Sequence, residues 1–148
     1  MVEVVSGVVI REGRVLLSQR PTSKDYPFCW ETPGGKVEGN ESHHQALARE
    51  LDEELGITVK SRIEKRSDGF EKVFSIAENA LWCGEVKLEG RDSVFLLYYR
   101  CEIEDKIEPR EGQGFGWFTA TEMARLGLTP GNKASLGTFL YLLDGTPT

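Results

Sequence analysis

Cysteine is scarce in this chain, which has only Cys29, Cys83 and Cys101 among 148 residues. The count is odd and no two cysteines share C-x-x-C spacing, which argues against a disulfide framework and a zinc knuckle. The expectation is three reduced, mostly buried thiols in a cytoplasmic protein. Histidine is scarcer still. His43 and His44 are adjacent, so on a helix they point apart, and they are read as surface residues with no catalytic task. No apolar run approaches the ~18–20 residues of a transmembrane helix. The first ten residues lack the basic start and long apolar core of a signal peptide and read as a strand. Internal repeats, low-complexity tracts and linkers are also missing. Basic charge is in deficit, with 18 Lys+Arg against 24 Asp+Glu and a formal net charge of −6. That balance counts against an extended nucleic-acid surface and against anionic membranes. It does not exclude phosphorylated small molecules, because carboxylates that hold a divalent cation let the metal supply the positive charge. The deciding question is whether the excess acid is spread out or concentrated.

What remains is an ordinary globular composition, 39% hydrophobic and 9% aromatic. A chain of this length suits one domain over 1–148 and needs no covalent staple to bury a core. Val2 to Ile10 and Val15 to Gln19, separated by Arg11-Glu12-Gly13-Arg14, predict an opening hairpin. Trp30-Glu31-Thr32 predicts a short strand running into Pro33-Gly34-Gly35. A helix is expected over residues 41–55, with Asn40 as N-cap, Glu41 in the first turn, Gly56 in the left-handed position after the end, and a buried stripe of Leu47, Leu51 and Leu55 with Ala48 beside them. Ile57 to Ile63 predicts a half-exposed strand. The charged segment 64–92 predicts strands around its apolar islands. Ser93 to Ile103 reads as a central, buried strand. A short helix over 122–126, capped by Thr119 or Thr121, and a last helix over 132–143 complete an α/β pattern with a mixed sheet. Trp30, Trp82 and Trp117 are read as core.

The acid is concentrated. Glu50, Glu53 and Glu54 occupy i, i+3 and i+4 of the predicted helix, beside its leucine stripe. Like charges on adjacent turns repel, and hard divalent cations favour such oxygen clusters, Mg²⁺ in particular combining a few carboxylates with waters and substrate phosphates. Arg49, next to this triad, is placed to pair with Glu41 or Glu50. The competing reading is a solvated acidic face.

Gly35, five residues, Glu41, seven residues and then Arg49-Glu50-Leu51-Asp52-Glu53-Glu54-Leu55-Gly56-Ile57 matches every fixed position of the box that marks Nudix hydrolases. The chain thus resembles that family. The resemblance implies an α/β/α sandwich around a mixed sheet, with the box forming a loop-helix-loop over 35–57. It also implies hydrolysis of a nucleoside diphosphate linked to another group, using Mg²⁺ or Mn²⁺. By the same resemblance Glu50, Glu53 and Glu54 are metal ligands and the Gly35 carbonyl is a further one. Glu50 or Glu53 serves the attacking water, Arg49 orients the carboxylates, and Glu41 is its partner. The run Trp30-Glu-Thr-Pro-Gly-Gly-Lys-Val-Glu resembles the approach to the box in MutT-like nucleoside triphosphate pyrophosphatases, some of which clear oxidised guanine nucleotides such as 8-oxo-dGTP. Thr32 stands where that group commonly has Phe. Glu111-Gly-Gln before Trp117 resembles a metal-binding Glu-Gly-Gln of the same group, and Asn132 resembles its base-reading asparagine.

These residues have plain alternatives. Glu111 lies in a loop rich in solvated glutamates, and Asn132 suits a helix cap. Arg20 and Lys36 meet either phosphate or water. The expectation is a Mg²⁺-dependent enzyme that cleaves a nucleoside triphosphate to the monophosphate and pyrophosphate. It is cytoplasmic, has a small-molecule nucleotide substrate and no membrane association, and is a monomer or a homodimer. Two alternatives stand beside it. One is hydrolysis of RNA 5′-triphosphate ends, with Lys60, Arg62, Lys65, Arg66 and Lys72 as a local basic groove. The other is a nucleotide-binding module without hydrolysis.

Overall fold

The opening apolar segment divides between two sheets instead of closing as one hairpin. The computed structural model describes residues 1–143. Its elements are β1 (Val2–Val8), β2 (Ile10–Arg11), β3 (Arg14–Gln19), β4 (Trp30–Glu31), β5 (Gly34–Lys36), α1 (His43–Leu55), β6 (Ser61–Arg66), β7 (Gly69–Phe74), β8 (Trp82–Val86), β9 (Val94–Arg100), β10 (Gly114–Phe118), α2 (Ala120–Ala124) and α3 (Pro130–Leu143). β1 pairs antiparallel with β5 and parallel with β9, giving a mixed sheet of order β5-β1-β9-β8. Only Ile10–Arg11 folds back on β3, through a turn in which Glu12 and Gly13 both have positive φ. A second sheet has the order β10-β3-β2, with β4 also on β3.

Strand alternation builds the layers. Val5, Val9, Leu16, Leu97 and Tyr99 face α1, and pack with its buried Ala46, Leu47, Leu51 and Leu55. Val8, Val15, Leu17 and Tyr98 face the other way, onto Met123 of α2 and Phe139 of α3. A period of two along each strand thus feeds two cores, one per side, and yields the expected α/β layering. The continuous apolar run of β9 fits its place between β1 and β8.

Several boundaries move. Helix α1 starts at His43, capped by Ser42 and not by Asn40. Ser42 and Gln45 bond each other's backbone reciprocally, which satisfies two end donors at once, whereas Glu41 is drawn off to Arg49. Gly56 takes the expected left-handed conformation, φ 60°, and donates to Asp52 O. Thr119 caps α2 with Glu122 in the same reciprocal way. α3 begins at Pro130, so Asn132 lies inside the helix and does not cap it. Val59 forms an isolated bridge to Ile103, and the strand expected over 57–63 starts only at Ser61.

The cysteines are free, but only Cys101 is buried; Cys29 is half-buried and Cys83 exposed. His43 is more than a surface residue. It sits 2.8 Å from the Tyr99 hydroxyl and 3.0 Å from Glu3, and both histidine rings lie against Tyr99. The three tryptophans are half-buried and pack against the core clusters without joining them, Trp30 also against Phe118, Trp82 against Tyr98, and Trp117 under the Arg11 guanidinium. Among the described residues no helix is long and apolar enough to cross a membrane.

Candidate active site

β5 brings Gly34 and Gly35 between β1 and α1 with no room for side chains. A Cβ on Gly34 would stand 2.0 Å from Val5 O, and one on Gly35 would stand 2.3 Å from the Glu50 carboxyl carbon. Only glycine lets the β5 backbone lie directly against that carboxylate. Glu54, one turn later on the same stripe of α1, accepts from Ser18 Oγ at 3.1 Å and from Gly34 N at 3.3 Å. The Glu54 backbone carbonyl in turn accepts from Gln113 Nε2 at 3.0 Å, and Gln113 accepts from Glu111 N at 3.0 Å. The loop before β10 is thereby fastened to the end of α1, with Glu111 facing Glu50 and Glu54.

Arg49 holds the outer side of this cluster. Its guanidinium reaches Glu41 twice (2.6 and 2.9 Å), Glu50 at 3.0 Å, Glu53 at 3.1 Å and Lys36 O at 3.0 Å. Those bonds, with one from Glu38 N, hold the Glu41 carboxyl down at about 2. The contacts raise the Arg49 guanidinium further above its ordinary value. The inner carboxylates behave oppositely. Burial raises Glu50, against the pull of Arg49, and Glu53 and Glu111 add repulsion. Burial pushes Glu54 up to about 8, with repulsion from Glu31 and Glu111 adding to it and the bonds from Ser18 and Gly34 opposing it.

Glu50, Glu54 and Glu111 help to line a cavity of ≈ 390 Å³. A second group of lining residues is amide and hydroxyl. Asn132, only 2% exposed, accepts from Thr32 N at 3.1 Å through Oδ1. Thr32 in turn is bound by Ser6 Oγ at 2.7 Å, over a floor that includes Tyr98. Burial raises the Tyr98 phenol well above its ordinary value, so it stays a neutral donor.

The structure therefore gathers Arg20, Thr32, Gly35, Lys36, Glu50, Glu54, Glu111 and Asn132 around one space. It separates Glu53 from them. That side chain is 56% exposed and outside the cavity wall, because i+3 turns it toward solvent while i and i+4 share the stripe facing β5. Arg49, Glu41 and Gly56 also lie behind the wall, as supports. Arg20 lines the cavity, but its guanidinium is engaged by Glu31 at 2.9 Å and by Asp25 O.

Sequence reasoning passed over Glu31. Strand alternation in β4 sends Trp30 toward Phe118 and Glu31 into the cavity, where burial raises its carboxyl against the pull of Arg20. Ser18 was missed too, since a lone serine carries no pattern until the fold places it beside Glu54; Gln113 stands in the Glu111-Gly-Gln run, but only the fold gives it the task of fastening that loop to Glu54 O.

As placed, no three acidic, histidine or cysteine side chains among the described residues surround one point at metal-ligand distance; Arg49 ties Glu50 and Glu53 outward instead. The donor chemistry still fits a hard cation. Glu50, Glu54 and Glu111 line one cavity, burial and then repulsion that includes Glu111 raise the pKa values of Glu50 and Glu54, and a glycine backbone is pressed against Glu50.

A NUDIX domain model matches residues 1–139. The CTP pyrophosphohydrolase of Escherichia coli (strain K12) is 56% identical over 149 aligned residues, covering 99% of this chain and 97% of that protein. The putative 8-oxo-dGTP diphosphatase 2 of Mycobacterium tuberculosis (strain ATCC 25618 / H37Rv) is 28% identical, covering 97% of this chain and 91% of that one. Among solved structures, the E. coli ORF135 protein superposes with a TM-score of 0.74 at 30% identity, covering 100% of this chain and 94% of its own. The MutT NUDIX hydrolase of Burkholderia pseudomallei shares the fold, with a TM-score of 0.71 at 22% identity, covering 93% of this chain and 96% of its own. With the box residues, the layered fold and these relatives in agreement, the chain belongs to the Nudix family and is a MutT-like hydrolase of the diphosphatase type.

Proposed function

We propose that the protein hydrolyses a nucleoside triphosphate to the monophosphate and pyrophosphate, with Mg²⁺ as the working ion and Mn²⁺ as a substitute. The observation that carries this reading is the lining of one cavity. Its lining combines Glu50, Glu54 and Glu111 with the buried amide of Asn132, held by Thr32. A nucleotide has the matching parts, phosphates and a hydrogen-bonding base edge.

Glu50, Glu54, Glu111 and the Gly35 carbonyl would hold the ion, which neutralises phosphate charge and acidifies water when bound. Arg49 keeps Glu50 and Glu53 oriented. Glu53, which shares the Arg49 Nη1 donor with Glu50, would accept the proton of the attacking water by turning in from the rim of the cavity. Lys36, beside the carboxylates, meets a phosphate oxygen.

The Asn132 amide both donates and accepts. Cytosine offers a donor at N4 beside an acceptor at N3, which suits an amide. Cytidine triphosphate is therefore the first substrate to test, in keeping with the named activity of the relative that is 56% identical. Guanine also offers a donor and an acceptor to an amide, and the relatives named as 8-oxo-dGTP diphosphatases favour an oxidised guanine nucleotide as the second. The free thiols support a reducing, cytoplasmic setting.

The experiment is pyrophosphate release from CTP, dCTP, GTP and 8-oxo-dGTP, with Mg²⁺ and with chelator. Metal-dependent release, strongest from one base class, supports the reading. Orthophosphate as the sole product, or equal rates with and without metal, would overturn it.

A further inference from the structure

The segment 61–74 plays no part in the cavity, and the site leaves its charges unexplained. β6 and β7 form a two-stranded sheet of their own, on which Ile63 is 65% and Phe70 77% exposed. Their register pairs Arg66 with Gly69 across a two-residue turn, which makes that pair hydrogen-bonded. Alternation then turns the N–H and C=O groups of Ser61, Ile63 and Lys65 away from β7. Among the described residues, none of these three finds another backbone partner. β6 therefore presents an open edge.

The charges on that edge are self-complementary. Arg62 and Glu64 flank Ile63 on one face, and their side chains lie 2.7 Å apart. In an antiparallel pairing of two β6 strands about a twofold axis at Ile63, Ile63 meets Ile63 and Arg62 meets Glu64 of the second copy, twice by symmetry. The outward N–H and C=O groups of Ser61, Ile63 and Lys65 are the ones such a pairing needs. β7 lacks this property. Its middle outward residue is Lys72, and twofold pairing there would oppose two lysines.

We propose that β6 is an edge through which two copies of this chain associate, joining their hairpins into a four-stranded sheet of order β7-β6-β6-β7. The contact is small, so the dimer is concentration-dependent, and it leaves both catalytic cavities open.

Sedimentation velocity on the full chain, over a concentration series reaching ~1 mM, tests this. The wild type should move from monomer toward dimer. Ile63→Pro should weaken association at least ~10-fold, because it removes an edge donor that β7 does not use, and circular dichroism should show the fold retained. Arg62→Glu should weaken association at least ~5-fold, and the double exchange Arg62→Glu/Glu64→Arg should restore it to within ~3-fold. A protein that stays monomeric throughout would overturn the proposal. So would a dimer indifferent to Ile63→Pro, or a double exchange that restores nothing.

Discussion

Replacing Glu54 by Gln should make the metal-free protein more stable while disabling it as an enzyme. In the fold, burial and the nearby Glu31 and Glu111 push the Glu54 carboxyl from an ordinary 4.5 up to about 8. A raised carboxyl pKa means that the native state holds a proton the unfolded chain releases. Stability attributable to this group is therefore intact below the unfolded value and declines as pH rises from about 4.5 toward 8. At 1.36 kcal/mol per unit, the upper bound is about 4 kcal/mol at pH 8 and below about 1 kcal/mol at pH 5. Hydration and side-chain movement reduce that, so ~1–2 kcal/mol at pH 8 is the working expectation, a rise in Tm of about 3–6 °C. Gln keeps an acceptor oxygen for Gly34 N, and its amide N–H donates to the Ser18 hydroxyl, which turns to accept, so the packing is conserved. The assay is thermal unfolding of chelator-treated wild type and Glu54→Gln at pH 5 and pH 8, with turnover measured separately in Mg²⁺. Glu54→Gln should gain at pH 8, gain little at pH 5, and lose at least ~100-fold in turnover. A variant equal to or less stable than wild type at pH 8, or a gain independent of pH, would refute the argument that this carboxylate is strained by its surroundings.

Three further outcomes are expected. Glu53→Gln should lower turnover at least ~100-fold with Tm unchanged within about 1 °C, since the side chain is 56% exposed and buries nothing; activity within threefold of wild type would remove Glu53 from the mechanism. Asn132→Ala should raise KM or flatten base preference more than it lowers kcat, checked across the substrate panel, and an unchanged profile would deny the residue a role in base reading. Gly35→Ala should cost about 1–3 kcal/mol in denaturant unfolding and most of the activity, because the new Cβ would stand 2.3 Å from the Glu50 carboxyl carbon.

Much of this protein was legible because its decisive features are local. Glycine next to an acid-rich helix, the i, i+3, i+4 glutamates and the leucine stripe all follow from 3.6-residue periodicity and need no distant contact. The left-handed Gly56 and the buried run of β9 were read the same way. Errors arose where local signals compete. Asn40 and Ser42 are both good caps, and Gln45 three residues after Ser42 decides between them by bonding back. Val2 to Ile10 looks like one strand, yet its first seven residues join β9 and its last joins β3.

The sequence by itself determined the family, the helix that carries the carboxylates and the hydrolytic chemistry, since these depend on residue type and short spacing. Tertiary structure alone decided which glutamates share a space. It turned Glu53 outward and Glu54 inward, brought Glu111 from 57 residues away to face Glu54, and recruited Glu31 to the same cavity. The reason is physical: carboxylate pKa values and metal affinity depend on burial and on distances of a few ångströms, and those distances exist only after the sheets have brought remote segments together.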